Sequence, residues 1–154
     1  MLQRQKFRIL RPSTTAVLGI VSVVTLLGVS SIPANAATAP SGCNTGYACF
    51  FADANFKKGP YSVAGTESNF QTINAKLCPS GTLNDCISSV WNNKSSAAKY
   101  PYLYLFVSAN WADTTYLKVP RQQGFNDLSK KQCTHTGCGP NHTYNDAISS
   151  NEWH

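Results

Sequence analysis

The chain carries the same short polar pattern twice. Asn84–Ser89 reads NDCISS and Asn145–Ser150 reads NDAISS, so the two hexads differ at a single position. Their starts lie 61 residues apart. Self-similarity at a fixed spacing is the signature of a duplicated structural unit, and it has to be recognised before individual elements are assigned. The hexads therefore predict a domain built from two related halves.

The repeat extends upstream of the hexads at a different offset. When the chain is shifted by 55 residues, YACFFADANFKKGPYSV from Tyr47 aligns with YLYLFVSANWADTTYLK from Tyr102. We therefore place copy one at about residues 43–93 and copy two at about residues 100–154. The same shift aligns three further pairs: Phe70 with Phe125, Ile73 with Leu128, and Cys78 with Cys133.

The two offsets differ by six residues, which predicts an insertion in copy two between Cys133 and Asn145. The inserted region reads CTHTGCGPNHTY and brings a cysteine of its own, Cys138. A polar segment, SVWNNKSSAAKYP, joins the two copies.

Each copy begins with a stretch typical of a β-strand. In copy two, aromatic Tyr102, Tyr104 and Phe106 alternate with aliphatic residues, and turn-forming residues follow. No segment beyond the leader repeats apolar residues at helical spacing. Because one copy could not close a core alone, we predict an all-β fold in which two four-stranded Greek-key units pack face to face.

The first 36 residues are predicted to be a secretory signal peptide. A basic head is followed by an apolar run, Ala16–Val29, and then by small residues at Ala34 and Ala36. Cleavage after Ala36 leaves residues 37–154 as a single secreted, extracellular domain. The alternative is an uncleaved membrane anchor, but the apolar run is short for a membrane span.

The charge pattern argues against a nucleic-acid partner. The chain has 13 Lys and Arg against 7 Asp and Glu, but four of the basic residues lie in the leader. The other basic residues occur singly or as the pairs Lys57-Lys58 and Lys130-Lys131, without a long cluster. We expect no nucleic acid as partner, no membrane association after cleavage, and a monomer.

All six cysteines follow the predicted leader, and an even number in an exported chain indicates three disulfides. Six cysteines allow 15 pairings. We favour the sequential ones because each closes a short local loop: Cys43–Cys49, Cys78–Cys86 and Cys133–Cys138. The alternative is a zinc site that combines thiols with His135 or His142.

The hexads resemble the calcium-binding motif of βγ-crystallin domains, [Asn/Asp]-[Asn/Asp]-x-x-[Ser/Thr]-Ser, at all four defined positions in both copies. Phe51-x4-Phe56 with Gly59 just after it resembles the aromatic hairpin of that family, as does Phe106-x4-Trp111. The resemblance covers nearly all of the chain after the leader. It implies a disulfide-stabilised, βγ-crystallin-like sandwich of two Greek-key units.

Within that fold, the opening SGCNTGYACFF is similar to the start of the streptomycete metalloproteinase inhibitors. That family also presents its inhibitory bond on a C-x4-C loop, and CTHTGC resembles this loop. The resemblance implies a peptidase inhibitor whose partner is a secreted protease, with Thr134 after the reactive bond. A contact of His135 with the catalytic zinc of the protease is an alternative. The implied inhibitory loop is Cys133, Thr134, His135, Thr136, Gly137 and Cys138.

The hexads also supply the oxygen ligands that Ca²⁺ prefers, namely carboxylate, amide and hydroxyl groups. The resemblance implies that the copies share each ion, so that Asp85 acts with Ser149, and Asp146 with Ser88. Affinity would be on the order of 10⁻⁵–10⁻³ M, as in other extracellular sites. The alternative is that these residues only form turns and local hydrogen bonds. The predicted metal ligands are Asn84, Asp85, Ser88, Asn145, Asp146 and Ser149; the last residues of the hexads, Ser89 and Ser150, are expected to brace the hairpin of their own unit.

Peptidase inhibition is therefore the predicted function, with Ca²⁺ as cofactor. Two alternatives are a calcium-binding extracellular structural or envelope-binding module, and a killer-toxin-like protein, both without protease inhibition. An enzyme is not expected, since neither a G-x-S-x-G nor an H-E-x-x-H motif is present. Trp91 and Trp153, which follow the hexads, are expected in the core.

Overall fold

Seven short strands form two antiparallel sheets in the computed structural model, which describes residues 38–154. The predicted signal peptide and its cleavage site lie outside the described residues. Sheet one has the order β2-β1-β3-β6 and sheet two the order β5-β4-β7. The strands are β1 (Ala48–Phe51), β2 (Tyr61–Val63), β3 (Ser89–Asn92), β4 (Tyr102–Phe106), β5 (Leu117–Pro120), β6 (Gln123–Phe125) and β7 (Ser150–Trp153).

Three single-turn 3₁₀ segments complete the regular structure: Phe70–Thr72, Ala109–Trp111 and Leu128–Lys130. The all-β prediction is confirmed, but sheet two has three strands and not the expected four, because the segment at Glu67 adds only a single bridge to its edge. Within residues 38–154, no helix has the length and apolar character needed to cross a membrane.

The two copies exchange segments between their sheets. Strand β6 belongs to copy two but pairs with β3 of copy one, with Gly124 opposite Trp91. In return, Glu67 of copy one pairs with Asn151 in β7 through reciprocal backbone hydrogen bonds of 3.1 and 2.9 Å. Neither copy therefore completes its sheet alone.

Backbone hydrogen bonds correct the predicted alignment of the copies. Phe70 and Leu128 each begin a 3₁₀ turn, and the preceding residues, Asn69 and Asp127, each accept a side-chain hydrogen bond from the second backbone N–H of that turn. The structural counterpart of Phe70 is thus Leu128 and not Phe125. The alignment of the two copies here follows the residue that caps each 3₁₀ turn, and not the match of two phenylalanines. Phe125 instead pairs with Val90 in sheet one.

The same correction applies further along the chain. Leu83 donates its backbone N–H to the carbonyl of Ile73, and Tyr144 donates its N–H to Lys131 in the same way. Lys131, and not Leu128, is therefore the counterpart of Ile73. The extra residues of copy two are divided between the stretch before the third 3₁₀ segment and the stretch after Cys133. With this alignment, Cys133 is not the structural counterpart of Cys78.

The core lies between the two sheets and contains the isoleucines of both hexads, Ile87 and Ile148, both fully buried. Phe50 and Phe70 pack edge to face with ring centroids 5.2 Å apart. A second buried cluster on the outer face of sheet one contains Trp91, as predicted for the core, whereas Trp153 is only partly buried.

The structure contains the three sequential disulfides, Cys43–Cys49, Cys78–Cys86 and Cys133–Cys138. These bonds use every cysteine of residues 38–154. The alternative zinc site built on thiols is therefore wrong for this part of the chain.

We predict that Gly124→Ala destabilises the protein by about 1–3 kcal/mol, the usual cost of overpacking. A Cβ at Gly124 would collide with the backbone carbonyl of Val90 and the ring of Trp91, inside the exchanged strand. Urea denaturation measures the change. Gly65→Ala is the matched control, because nothing lies near its Cβ position; equal stability of the two variants would contradict this account of the exchange.

Candidate functional site

The two hexads lie side by side because each hydrogen-bonds to the backbone of the other. Asp85 donates its N–H to the carbonyl of Ile148 at 3.2 Å, and Asp146 donates its N–H to Ile87 at 3.1 Å. Both aspartates have φ near +50°, in the left-handed region that Asp tolerates better than most residues. The hexads thus form a pair of crossed turns, each leading directly into a strand.

The side chains repeat this crossing. Ser149 donates a hydrogen bond to Asp85 at 3.3 Å, and Ser88 makes the corresponding contact with Asp146 at 3.5 Å. Each carboxylate therefore faces a hydroxyl from the other copy. This is the pairing that the resemblance implied.

The two hexad asparagines support the carboxylates. The side-chain N–H of Asn84 donates a hydrogen bond to the carboxylate of Asp85 at 2.5 Å, and that of Asn145 donates to Asp146 at 2.6 Å. Both asparagines therefore orient a neighbouring carboxylate with the NH₂ group. The predicted role of each asparagine was to supply its amide oxygen to the ion.

The last serines of the hexads bind their own hairpins. Ser89 donates to the carbonyl of Asp53 at 2.7 Å, and Ser150 donates to the carbonyl of Ser108 at 2.7 Å. Both serines are buried. Their side chains thus brace the hairpins, as expected.

A cleft of about 430 Å³ opens beside the first hexad. Its lining includes three carboxylates, and one of them, Asp53, lies outside the hexads. Asp53 forms a salt bridge of 3.1 Å with Lys58, which also lines the cleft. The polar side chains that line it are Asp53, Lys58, Asp85, Ser88 and Asp146.

The electrostatics of the cleft favour a cation. Asp85 and Asp146 are exposed as whole residues, but partial burial of their carboxyl groups raises the pKa of both, against the lowering effect of the hydrogen bonds from serine and asparagine. The negative charges of Asp85 and Asp53 also raise the pKa of Asp146. A bound cation would relieve this cost of ionisation.

Within residues 38–154, no group of three or more His, Cys, Asp or Glu side chains is arranged to hold a metal ion. A cation between the hexads would therefore take most of its ligands from hydroxyl groups, backbone carbonyls and water. Calcium accepts such a mixed oxygen shell, so the donor set fits this ion better than it fits zinc.

The loop Cys133–Cys138 packs on the hairpin of copy two through His135. The Nε2 atom of His135 lies 2.8 Å from Oδ1 of Asp113, whose side chain is 1% exposed. The other oxygen of Asp113 accepts a hydrogen bond from the Ser108 N–H at 2.7 Å. These two atoms are close but not aligned for a hydrogen bond, since Oδ1 has no hydrogen-bond partner.

The second ring nitrogen of His135 is also used within the loop. Gly137 donates its N–H to Nδ1 of His135 at 3.0 Å. Both nitrogens therefore face the protein, and the alternative that His135 approaches a protease zinc does not fit this arrangement. The exposed residues of the loop are Thr134, Thr136 and Gly137.

Asp113 is a buried acid that the sequence pattern did not indicate. Its charge also contributes, after burial, to the raised pKa of Tyr144. At the offset of 55 residues Asp113 aligns with Lys58, so the repeat provided no signal for a buried acid at this position.

The first two-thirds of the described chain match a known protein family. The model of peptidase inhibitor family I36 matches residues 36–116. The chain belongs to this family. The part that matches family I36 includes the first disulfide, the first hexad and the hairpin that carries Asp113, and it ends before the loop Cys133–Cys138 and before the second hexad.

The chain is similar in structure to βγ-crystallins. A βγ-crystallin structure concerned with the evolution of the eye-lens domain fold is 20% identical, with a TM-score of 0.52, and the match covers 75% of this chain and 93% of that chain. A βγ-crystallin from Ciona intestinalis is 15% identical with a TM-score of 0.47, covering 71% and 100% of the two chains. The first match confirms the βγ-crystallin-like sandwich. No curated protein matches the chain.

We predict that Asp113→Asn loosens the loop, because it removes the buried charge that His135 faces. The expected loss of stability is about 1–3 kcal/mol, as for other buried polar partners, with faster hydrogen exchange at the Gly137 amide. The matched control is Glu152→Gln, which alters a His–carboxylate pair of the same 2.8 Å length on the surface. If both variants leave the exchange of Gly137 unchanged, Asp113 does not anchor the loop.

Proposed function

We propose that this member of family I36 is a secreted metalloprotease inhibitor that presents the loop Cys133–Cys138 to its target. The family match over residues 36–116 carries the proposal of peptidase inhibition. The choice of the loop, which lies outside that match, depends on the resemblance of its C-x4-C pattern and on its geometry. Three disulfides are typical of chains that fold in an oxidising, extracellular compartment.

The loop has the mechanical properties of an inhibitory segment. Its ends are joined by a disulfide, its middle is held against the hairpin by His135, and the Cys138 N–H donates to the carbonyl of His135 at 3.2 Å. A segment that is already ordered loses little conformational entropy on binding. Exposed Thr134 and Thr136 would then contact the protease, with the Cys133–Thr134 bond lying across its catalytic centre.

An inhibition assay against thermolysin-like, subtilisin-like and trypsin-like enzymes tests this proposal. We expect inhibition of the thermolysin-like enzyme, and we expect Thr134→Glu to weaken it about 30-fold or more, as at a binding hot spot. Because Thr134 is exposed, the melting temperature of the Thr134→Glu variant should equal that of the wild type.

The control is Ser95→Glu, which places the same charge on an exposed position of the segment between the copies and should inhibit like the wild type. Inhibition of only a serine protease would overturn the metalloprotease assignment. Absence of inhibition of all three enzymes would favour a calcium-binding extracellular module instead.

We further propose that the crossed hexads bind Ca²⁺. Asp85 with Ser149, and Asp146 with Ser88, would hold the ions, with backbone carbonyls of the hexads and hairpins and with Asp53 beside the first hexad. The ion would supply a positive charge at the junction of the copies and so strengthen the contact between them. Support comes from the oxygen-rich donor set and from the raised pKa of both hexad aspartates.

We predict opposite effects of the double variant Asp85→Asn/Asp146→Asn in the absence and presence of Ca²⁺. A raised pKa means that the folded state binds the carboxyl protons of Asp85 and Asp146 more tightly than the unfolded state does. The folded protein therefore loses stability as the pH rises above the ordinary aspartate range and these groups ionise. Without Ca²⁺ at pH 7, the variant should therefore melt at a higher temperature than the wild type. In millimolar Ca²⁺ only the wild type should gain stability, by about 1–3 kcal/mol for a ligand well above its Kd.

Asp127→Asn provides a control of opposite sign. Hydrogen bonds from Ser129 and Lys130 lower the pKa of Asp127, so its loss should lower the melting temperature and leave the response to Ca²⁺ unchanged. A double variant that still gains stability in Ca²⁺ would show that the hexads do not bind the ion.

A further inference from the structure

A second cleft, of about 450 Å³, lies at the opposite end of the molecule from the hexads. Strand β3 begins at Ser89, the last residue of hexad one, and ends at Asn92, two residues before Lys94. Strand β7 begins at the last residue of hexad two and ends at Trp153. The cleft is lined by Ala64, Thr66, Lys94, Ala98, Lys99, Tyr100 and Trp153, so both copies and the segment between them contribute to it.

Two ammonium groups of the cleft are positioned by aromatic rings. The Nζ atom of Lys94 lies 4.2 Å from the ring centroid of Trp153, and Nζ of Lys99 lies 4.9 Å from that of Tyr100. A cation–π contact holds an ammonium group in place without neutralising its charge.

Neither lysine has an acidic partner within residues 38–154, whereas Lys58 and Lys130 are both paired with aspartates. The cleft therefore concentrates positive charge in a chain that is close to neutral after its leader.

Lys94 is also partly desolvated. Burial lowers the pKa of its ammonium group, and its one hydrogen bond within the described chain is to the carbonyl of Ala64, at 3.3 Å. The remaining N–H groups are available to a ligand. The hydroxyl oxygen of Thr66 accepts a hydrogen bond from the backbone N–H of Trp153 at 3.2 Å, and Thr66 lines the cleft, so its own O–H is available to donate to a ligand.

We propose that this cleft binds an oxyanion, namely a sulfate, phosphate or carboxylate group. The two ammonium groups supply the charge, Thr66 supplies a further donor, and the half-exposed ring of Tyr100 forms an apolar wall beside them. An oxyanion accepts several charge-assisted hydrogen bonds at once, which neutral ligands do not. The site is separate from both the loop Cys133–Cys138 and the hexads.

Titration calorimetry and amide NMR shifts with the purified protein at low salt test the site. The probes are inorganic sulfate, inorganic phosphate, glucuronate and dextran sulfate, with uncharged dextran as a blank. We expect binding that weakens as salt is added, with shifts in Lys94, Lys99 and Trp153. Binding of the inorganic ions supports a site for free anions, and binding of the sugar acid or sulfated polymer alone supports a site for an acidic glycan.

Lys94→Gln/Lys99→Gln should weaken binding about tenfold or more, the usual effect of losing a charge-assisted hydrogen bond. Lys118→Gln is the matched control, because Lys118 lies over a tyrosine ring in the same way, 3.5 Å from the centroid of Tyr102, but outside the cleft. Lys94→Arg/Lys99→Arg keeps the charge and should retain binding, which separates loss of charge from misfolding. Absence of binding of every anion, or equal loss in Lys118→Gln, would overturn the proposal.

Discussion

Each sheet of this protein is completed by a segment of the opposite half, and this exchange supports every other feature of the structure. Strand β6 of copy two forms the edge of sheet one, and Glu67 of copy one pairs with β7 in sheet two. A short, isolated hairpin is marginally stable in water. The exchange joins two such units into one core and forces the ends of β3 and β7 into fixed relative positions.

The crossed hexads follow from that geometry. Because the exchange places the two copies side by side, the start of β3 lies next to the start of β7, and each aspartate meets the serine of the other hexad. The opposite ends of the same strands carry Lys94 and Trp153. One arrangement of strands thus creates an acidic end and a basic end, each built from residues of both copies.

The side chains depart from the symmetry of the backbone. In copy one, Asp53 and Lys58 form an exposed salt bridge in the cleft, whereas in copy two the residue aligned with Lys58 is Asp113, which is buried under the disulfide loop. The disulfide loop of copy two thus covers a buried acid, whereas the corresponding position of copy one carries an exposed lysine beside a cleft. The two halves share a backbone pattern and differ in the chemistry of their side chains.

The sequence by itself determined the all-β fold of two related halves, the repeated hexads and the three local disulfides, because each depends on short-range pattern: strand alternation, a repeated motif and close cysteine spacing. It did not determine that Phe70 matches Leu128, since that register depends on which residue caps a 3₁₀ turn. Nor did it reveal Asp113 beneath His135, or Lys94 over Trp153. These contacts join residues that are far apart in the chain and lack a common motif, so only the packing of the two halves decides them.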